Sequence, residues 1–152
     1  MKVDGDWFHS HQDEKIVRAI ETGGWRPELN SGTRFGTGVY LARGQWHRDA
    51  KWMIKCRVEL KDVEILDEFP EIEGFENKGC GNSEGHFERY LKSKGLICGR
   101  PKDESGGSGQ NTAIRNHFLK KGIKAVKFIE YGEEVLVVYV PSAIKIVGIS
   151  GV

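Results

Sequence analysis

The sequence predicts a single α+β domain that spans residues 1–152 and combines a few helices with many short strands. Apolar residues recur at spacings of three and four in residues 13–22, 84–95 and 111–122, which is typical of amphipathic helices. Apolar and charged residues instead alternate in residues 54–60, which is typical of a half-buried strand. Strands and helices do not alternate along the chain, so a doubly wound parallel sheet is not expected.

The N-terminal third predicts two strands and two helices. We expect a strand at residues 7–11, a helix at 13–22 that Gly23 and Gly24 end, a loop at 25–37, a strand at 39–42 and a short helix at 45–53. The short helix is inferred from Trp46, Ala50 and Met53, which would share one face.

The rest of the chain predicts five strands and two helices. Strands are expected at residues 54–60, 63–67, 123–130, 134–140 and 143–149, helices at 84–95 and 111–122, and loops at 70–83 and 99–109. Asn111 is expected to be the N-cap of the last helix and Gly122 its C′ residue. The inward-facing side chains are expected to be Ile54, Cys56, Val58, Leu60, Phe87, Tyr90, Leu91, Ile114, Phe118 and Leu119.

Charge and cysteine content limit the classes of function. The chain has 23 basic and 22 acidic residues and a formal net charge of +1, which argues against binding nucleic acid mainly by bulk positive charge. The three cysteines have no regular spacing, so reduced thiols in a cytosolic protein are expected. No apolar signal region or membrane-spanning stretch is apparent, which predicts a cytoplasmic protein without a membrane partner.

Three separate segments carry the candidate chemistry. They read "WFHSH" at residues 7–11, "FGTGVYLA" at 35–42 and "YGEEVLVVYVPSAIKI" at 131–146. In this order and spacing the chain resembles ADP-ribosyltransferases of the diphtheria-toxin and poly(ADP-ribose) polymerase type, which carry a His–Tyr–Glu set. The resemblance covers most of the chain and implies a split β-sandwich with flanking helices. It also implies NAD as co-substrate and no metal.

The resemblance assigns a role to each matching residue. His9 would bind an NAD ribose hydroxyl, and the backbone of Ser10 would hold the nicotinamide carboxamide, although the family usually has Gly there. Tyr40 would stack on the nicotinamide ring. Glu134 would bind the nicotinamide-side ribose and stabilise the developing cation. Since a β-bulge would change which side chain faces the site, Glu133 stays open as the alternative carboxylate.

The loop before Tyr40 supplies further candidate ligand contacts. Gly38 would let the chain pass close to a planar ligand. The resemblance also implies that Ser31 and Arg34 contact the dinucleotide, with Arg34 at the pyrophosphate. Arg43 is expected at the rim of the site. His9 and His11 alternate on a strand as a metal pair would, but the Cys and His residues elsewhere lack metal-site spacing, so no metal is predicted.

The implied activity is mono-ADP-ribosyl transfer from NAD to a macromolecular acceptor, protein or nucleic acid, with release of nicotinamide. By analogy with the family, the context would be a toxin or phage-conflict effector with an antitoxin or immunity partner. Three alternatives stay open: an NAD glycohydrolase, an RNA 2′-phosphotransferase-like enzyme, and a catalytically inactive module that binds NAD or ADP-ribose. The sequence separates the acceptors no further.

Overall fold

A computed structural model of the chain describes residues 2–27, 35–45, 48–67, 84–96 and 109–152. Within these ranges it contains three α-helices and seven strands, which confirms the predicted α+β class. The strands are β1 (Trp7–His11), β2 (Val39–Ala42), β3 (Trp52–Val58), β4 (Ile65–Leu66), β5 (Ala125–Glu130), β6 (Glu133–Val138) and β7 (Ile144–Gly151). The helices are α1 (Glu14–Gly23), α2 (Glu84–Ser93) and α3 (Gly109–Lys120).

All seven strands belong to one sheet, in the order β4-β5-β6-β2-β1-β3-β7. The β4–β5 pair is parallel, and every other neighbouring pair is antiparallel. This order places β6, β2 and β1 side by side, although they come from the C-terminal end, the first third and the beginning of the chain. The three segments singled out in the sequence are therefore adjacent strands.

The sheet is bent, because the link between β3 and β4 is short. The two strands lie five places apart in the strand order, which is about 24 Å in a flat sheet at roughly 4.8 Å per strand. The connection from Val58 to Ile65 includes a 3₁₀ turn at Asp62–Glu64. It reaches only about 20 Å at roughly 3.4 Å per extended residue and 2 Å per 3₁₀ residue. The two ends of the sheet therefore approach one another.

Strand alternation supplies a hydrophobic cluster on each face of the sheet. On β6, Leu136 and Val138 enter the first cluster, whereas Val135 and Val137 enter the second. The first cluster takes side chains from all seven strands, together with Val17 of α1. The second cluster lies under α2 and α3 and is rich in aromatic rings in stacked or edge-on contact: Phe35, Phe87, Tyr90, Phe118, Phe128 and Tyr139. Opposite faces of the sheet thus bury separate cores.

Local signals account for most helix ends. Asp13 caps α1 by accepting a hydrogen bond from the Lys15 amide, as its side chain type favours. At the end of α3, Gly122 has a φ of 76° and donates to Leu119, and Ile123 donates to Phe118, which is the Schellman pattern. Gly122 is thus confirmed as the C′ residue.

The predicted beginning of α3 was wrong. The helix starts at Gly109, so Asn111 lies inside it and is buried rather than acting as an N-cap. Asn111 instead accepts a backbone hydrogen bond from Thr37, which joins the helix to the turn before β2. This tertiary contact explains why the asparagine lies one turn deeper than its local preference suggested.

The short helix predicted at residues 45–53 was also wrong. Trp52 and Met53 begin β3, where Trp52 pairs with His11 of β1 and with Gly151 of β7. Hydrogen bonding to strands on both sides outweighs the local helical spacing. Similarly, only Ile65 and Leu66 of the strand predicted at residues 63–67 are extended.

Several sequence predictions fall outside the described residues. They concern the loop at residues 70–83, most of the loop at 99–109, and Cys80 and Cys98. Cys56 is a free thiol inside the first cluster, and burial raises its pKa to about 12. The thiol of Cys56 is therefore protonated and unreactive at neutral pH.

Tyr131 forms the tip of the β5–β6 hairpin in a conformation that tyrosine disfavours. Its φ is 51° and that of Gly132 is 77°, and the Tyr131 side chain is largely exposed. We expect Tyr131→Asn to raise the free energy of unfolding by about 0.5–1 kcal/mol, because Asn adopts left-handed turns at lower cost. Urea unfolding measures the change. Gly132→Ala is the opposite control and should destabilise; a loss of stability in Tyr131→Asn would contradict the expectation.

Candidate functional site

The junction between β1 and β2 defines the candidate site. Within the described residues, these strands pair at one position, with Phe8 opposite Ala42. By contrast, β1 pairs with β3 along its whole length, from Trp7 to His11. Beyond Phe8 and Ala42 the two strands diverge, and His9, Ser10 and Tyr40 lie at the point of divergence. These residues, which belong to two of the three segments singled out in the sequence, define the candidate site.

His9 connects the two diverging strands. Its Nδ1 lies 2.9 Å from the carbonyl oxygen of Tyr40. Because a carbonyl oxygen only accepts hydrogen bonds, Nδ1 carries the proton, and Nε2 of the neutral ring is the acceptor nitrogen. Trp25 packs edge-on against the His9 ring, with centroids 5.2 Å apart. The structure thus fixes both the tautomer and the orientation of His9.

Tyr40 is held by the turn that precedes its strand. Its hydroxyl donates to the carbonyl of Gly36 at 2.7 Å and accepts from the amide of Phe35 at 2.8 Å. The ring is half-buried and packs against the second cluster. An aliphatic residue would fill this space but would leave both backbone groups of the turn without their partner. The hydroxyl therefore has a structural role, and the ring face is what remains for a ligand.

The two glycines before Tyr40 allow close packing within the protein. Gly36 has a φ of 102°, and a Cβ there would lie 2.8 Å from Cγ2 of Ile114. A Cβ on Gly38 would lie 2.8 Å from the carbonyl oxygen of Val138. Both distances are too short for a side chain, so the glycines bring the turn against α3 and β6. A ligand contact at Gly38 stays a prediction.

Glu134 lies in an ion-pair network. Arg43 Nε is 2.9 Å from its Oε2, and Lys127 Nζ is 3.2 Å from its Oε1. Burial raises the pKa of Glu134, but hydrogen bonds from Arg43 and Lys127 outweigh that effect, so the pKa lies below its ordinary value. The carboxylate is therefore ionised at neutral pH, with a cation at each oxygen.

The two adjacent glutamates point to opposite faces of the sheet. The registers of β6 with both neighbours run without a shift, so no bulge changes the alternation. Glu134 shares the face of Leu136 and the first cluster, whereas Glu133 shares the face of Val137 and the second. The side chain of Glu133 makes no hydrogen bond or ion pair with another described residue, whereas its backbone pairs with that of Glu130 in β5.

The structure joins His9 to the backbone of Tyr40 but does not bring the two side chains to the same face of the sheet, and it leaves Glu134 apart from His9. By the strand register, Glu134 is two strands and two residues away from His9. At roughly 4.8 Å per strand and 3.4 Å per residue, their Cα atoms are about 12 Å apart. His9 follows the alternation of Trp7, so it shares the Glu134 face, on the opposite side from Tyr40.

Ser10 is the other described member of the predicted ligand set. It lies on β1 opposite Met53 and is buried. Ser31 and Arg34 lie outside the described residues. Arg43, which the sequence placed at the rim, is instead central, because it contacts Glu134 and its guanidinium lies 3.8 Å from the centre of the Trp7 ring. The sequence signal that could have indicated this central position is an arginine directly after a short buried strand.

Comparison with known proteins does not assign a family: no family model, curated protein or solved structure matches this chain. Among the described residues, no group of three or more His, Cys, Asp or Glu is arranged to hold a metal ion. In the same ranges, no helix is both long enough and apolar enough to cross a membrane. The candidate site is thus defined by its geometry.

The hydroxyl of Tyr40 should contribute measurably to stability. We expect Tyr40→Phe to lower the free energy of unfolding by about 1–2 kcal/mol, because Phe35 N–H and Gly36 C=O lose their shared partner. Urea unfolding measures this loss. Tyr131→Phe removes an exposed hydroxyl and is the matched control; equal stability of the Tyr40→Phe variant and the unmodified protein would contradict the assignment.

The ion pairs of Glu134 should make stability depend on pH. Since its pKa is lower in the folded protein, its stabilising contribution is present near neutral pH and is lost as pH falls through the folded pKa. We expect Glu134→Gln to cost about 0.5–1 kcal/mol at neutral pH, a modest value because the side chain is 38% exposed and solvent screens the pairs. The difference should therefore shrink as the solution is acidified below the ordinary pKa of a glutamate.

Urea unfolding of both proteins across this pH range measures the effect. Glu133→Gln is the control, since it removes the neighbouring carboxylate without breaking either ion pair. Equal, pH-dependent losses in the two variants would contradict the role given to the ion pairs.

Proposed function

We propose that this chain is an NAD-dependent mono-ADP-ribosyltransferase that transfers ADP-ribose to a macromolecular acceptor and releases nicotinamide. One observation carries the proposal. The three segments that resemble the His–Tyr–Glu family are far apart in sequence, yet they form the adjacent strands β1, β2 and β6. The ring of His9 lies within hydrogen-bond distance of the backbone carbonyl of Tyr40 where the first two of these strands diverge.

The shape of the sheet supports a split β-sandwich for the proposed enzyme. One half consists of β4, β5, β6 and β2, and the other consists of β1, β3 and β7. The single Phe8–Ala42 pair joins the halves, and the short β3–β4 link folds the sheet over its first cluster. A cleft between half-sheets is a typical ligand position, because backbone groups there are available for recognition.

Each described residue has a chemical task in this proposal. The backbone of Ser10 on β1 holds the nicotinamide carboxamide. Nε2 of His9, the acceptor nitrogen of the ring, takes a hydrogen bond from a ribose hydroxyl. Tyr40 offers its ring face to the nicotinamide, since its hydroxyl is engaged by Gly36 and Phe35.

The reaction breaks the bond between ribose C1′ and the nicotinamide nitrogen. The bonding electron pair leaves with nicotinamide, which becomes neutral, and C1′ develops positive charge. A nucleophile of the acceptor then forms a bond to C1′ and loses its proton. A carboxylate near C1′ stabilises the developing cation, and Glu134, which shares the His9 face, is the residue proposed for this role.

One alternative has a specific observation in its favour. Arg43 and Lys127 compensate the charge of Glu134, which suits a module that binds NAD or ADP-ribose without cleaving it. Water as the acceptor would make the same site an NAD glycohydrolase. A toxin or phage-conflict role in the cytoplasm, with an antitoxin partner, is part of the proposal by resemblance alone.

Nicotinamide release from NAD by the purified protein tests the proposal. We expect His9→Ala and Tyr40→Leu each to lower release about 100-fold, because they remove the ribose acceptor and the ring face. Tyr40→Phe keeps the ring and should retain more release than Tyr40→Leu. Glu133→Gln and Glu134→Gln, compared directly, identify the carboxylate. Addition of cell protein or RNA with labelled NAD shows which fraction accepts ADP-ribose.

Two outcomes would contradict this function. Release that is unchanged in His9→Ala and Tyr40→Leu would place the chemistry elsewhere. NAD binding by calorimetry without release, alone or with any acceptor fraction, would instead favour the binding module.

A further inference from the structure

Arg43 and Lys127 connect Glu134 to the first residues of the chain. Arg43 Nη1 donates to the carbonyl oxygen of Asp4 at 2.7 Å and to that of Asp6 at 3.1 Å, while its Nε binds Glu134. Lys127 Nζ donates to the carbonyl oxygen of Lys2 at 3.2 Å and also binds Glu134. Residues 2–6, here named the N-terminal strap, thus share both cations with the candidate catalytic carboxylate.

The N-terminal strap is fixed to the domain. Val3 is buried in the first cluster, and its carbonyl accepts a hydrogen bond from Trp7 Nε1. The amide of Lys2 donates to the Asp62 side chain, and its ammonium pairs with Asp67 at 3.0 Å. These contacts lie outside the candidate site, so the strap is held in place even without a ligand.

Arg43 is therefore restrained on several sides at once. Its guanidinium stacks over Trp7, binds two strap carbonyls and pairs with Glu134. Gly5 has a φ of 87°, and a Cβ at that position would lie 3.3 Å from Arg43 Nη1. The strap thus follows a path that leaves room for the guanidinium. Such a side chain holds its charge at a constant distance from the carboxylate.

This arrangement opposes the chemistry proposed for Glu134. ADP-ribosyl transfer passes through a transition state with positive charge on the ribose, which a carboxylate stabilises and nearby cations destabilise. With Arg43 and Lys127 at its two oxygens, Glu134 has a net positive surrounding. We propose that Arg43, held by the N-terminal strap, is a positioning residue that restrains Glu134 and keeps the reaction slow, an inference that rests on the proposed function.

The charge of Arg43 carries the restraint, so neutral and charged substitutions should differ. We expect Arg43→Gln to raise the rate constant of nicotinamide release about tenfold, equivalent to about 1.4 kcal/mol. Arg43→Lys keeps the charge but loses the planar guanidinium that stacks on Trp7 and binds two strap carbonyls, so its rate should rise less than that of Arg43→Gln. A fall in release for Arg43→Gln, or an equal rise in both variants, would overturn the proposal.

Lys127→Gln provides a second test, should Arg43→Gln fail to fold. It removes the cation at the other oxygen of Glu134 while leaving the Arg43 contacts in place. We expect its release rate to rise as well, with KM for NAD little changed, because Lys127 acts through Glu134. An unchanged or lower rate would overturn the proposal.

A measurement without substrate separates this inference from the proposed function. The Glu134 carboxyl, followed by carbon NMR across a pH titration, should show a higher pKa in Arg43→Gln than in the unmodified protein. An equal pKa in both would overturn the restraint even in an active enzyme. If the pKa rises but no variant releases nicotinamide or binds NAD, the proposed function fails. Arg43 then still restrains Glu134, but the restraint does not slow ADP-ribosyl transfer.

Discussion

The pairing of Phe8 with Ala42 is the constraint on which the arrangement of the molecule depends. It is the described point at which β1 meets β2, so it joins the two halves of the sheet. Longer pairing would close the gap in which His9 and Ser10 lie. No pairing would leave His9 without the Tyr40 carbonyl that sets its tautomer. The candidate site therefore depends on two features of the sheet. Its seven strands form one continuous sheet, but β1 and β2 share one described residue pair.

The periodicity of apolar residues correctly predicted which side chains are buried. It failed where the structure of a segment depends on partners that are distant in sequence. The alternation from Ile54 to Leu60 and the inward faces of α2 and α3 are confirmed, because burial selects residues at the period of each element. Met53 has helical spacing with Trp46 and Ala50, yet β1 and β7 draw it and Trp52 into a strand. No local pattern shows that a segment has a partner on each side.

The same distinction between local pattern and distant partners applies to the candidate site. The strands bearing His9, Tyr40 and Glu134 were predicted from the pattern of residues, and the structure places these strands next to one another. The environment of Glu134 was not predictable, because its two cationic partners come from distant places in the chain, Arg43 after β2 and Lys127 on β5, and both cations also bind backbone carbonyls of residues 2–6. Contacts made by a backbone carbonyl cannot be predicted from residue types, because every residue has that carbonyl. The sequence pattern therefore predicted which strand carries Glu134, but it did not predict the two cations that pair with this carboxylate.

The strand order also has a consequence for how the chain folds. β2 has no partner on one side until β6 is available, and β6 follows it by about ninety residues of chain, a separation that favours slow folding. β1 and β3 are close in sequence and can pair early. β2 must instead wait for the hairpin of β5 and β6, which is synthesised later. The candidate site, which takes residues from β1, β2 and β6, therefore cannot form during synthesis before that hairpin leaves the ribosome.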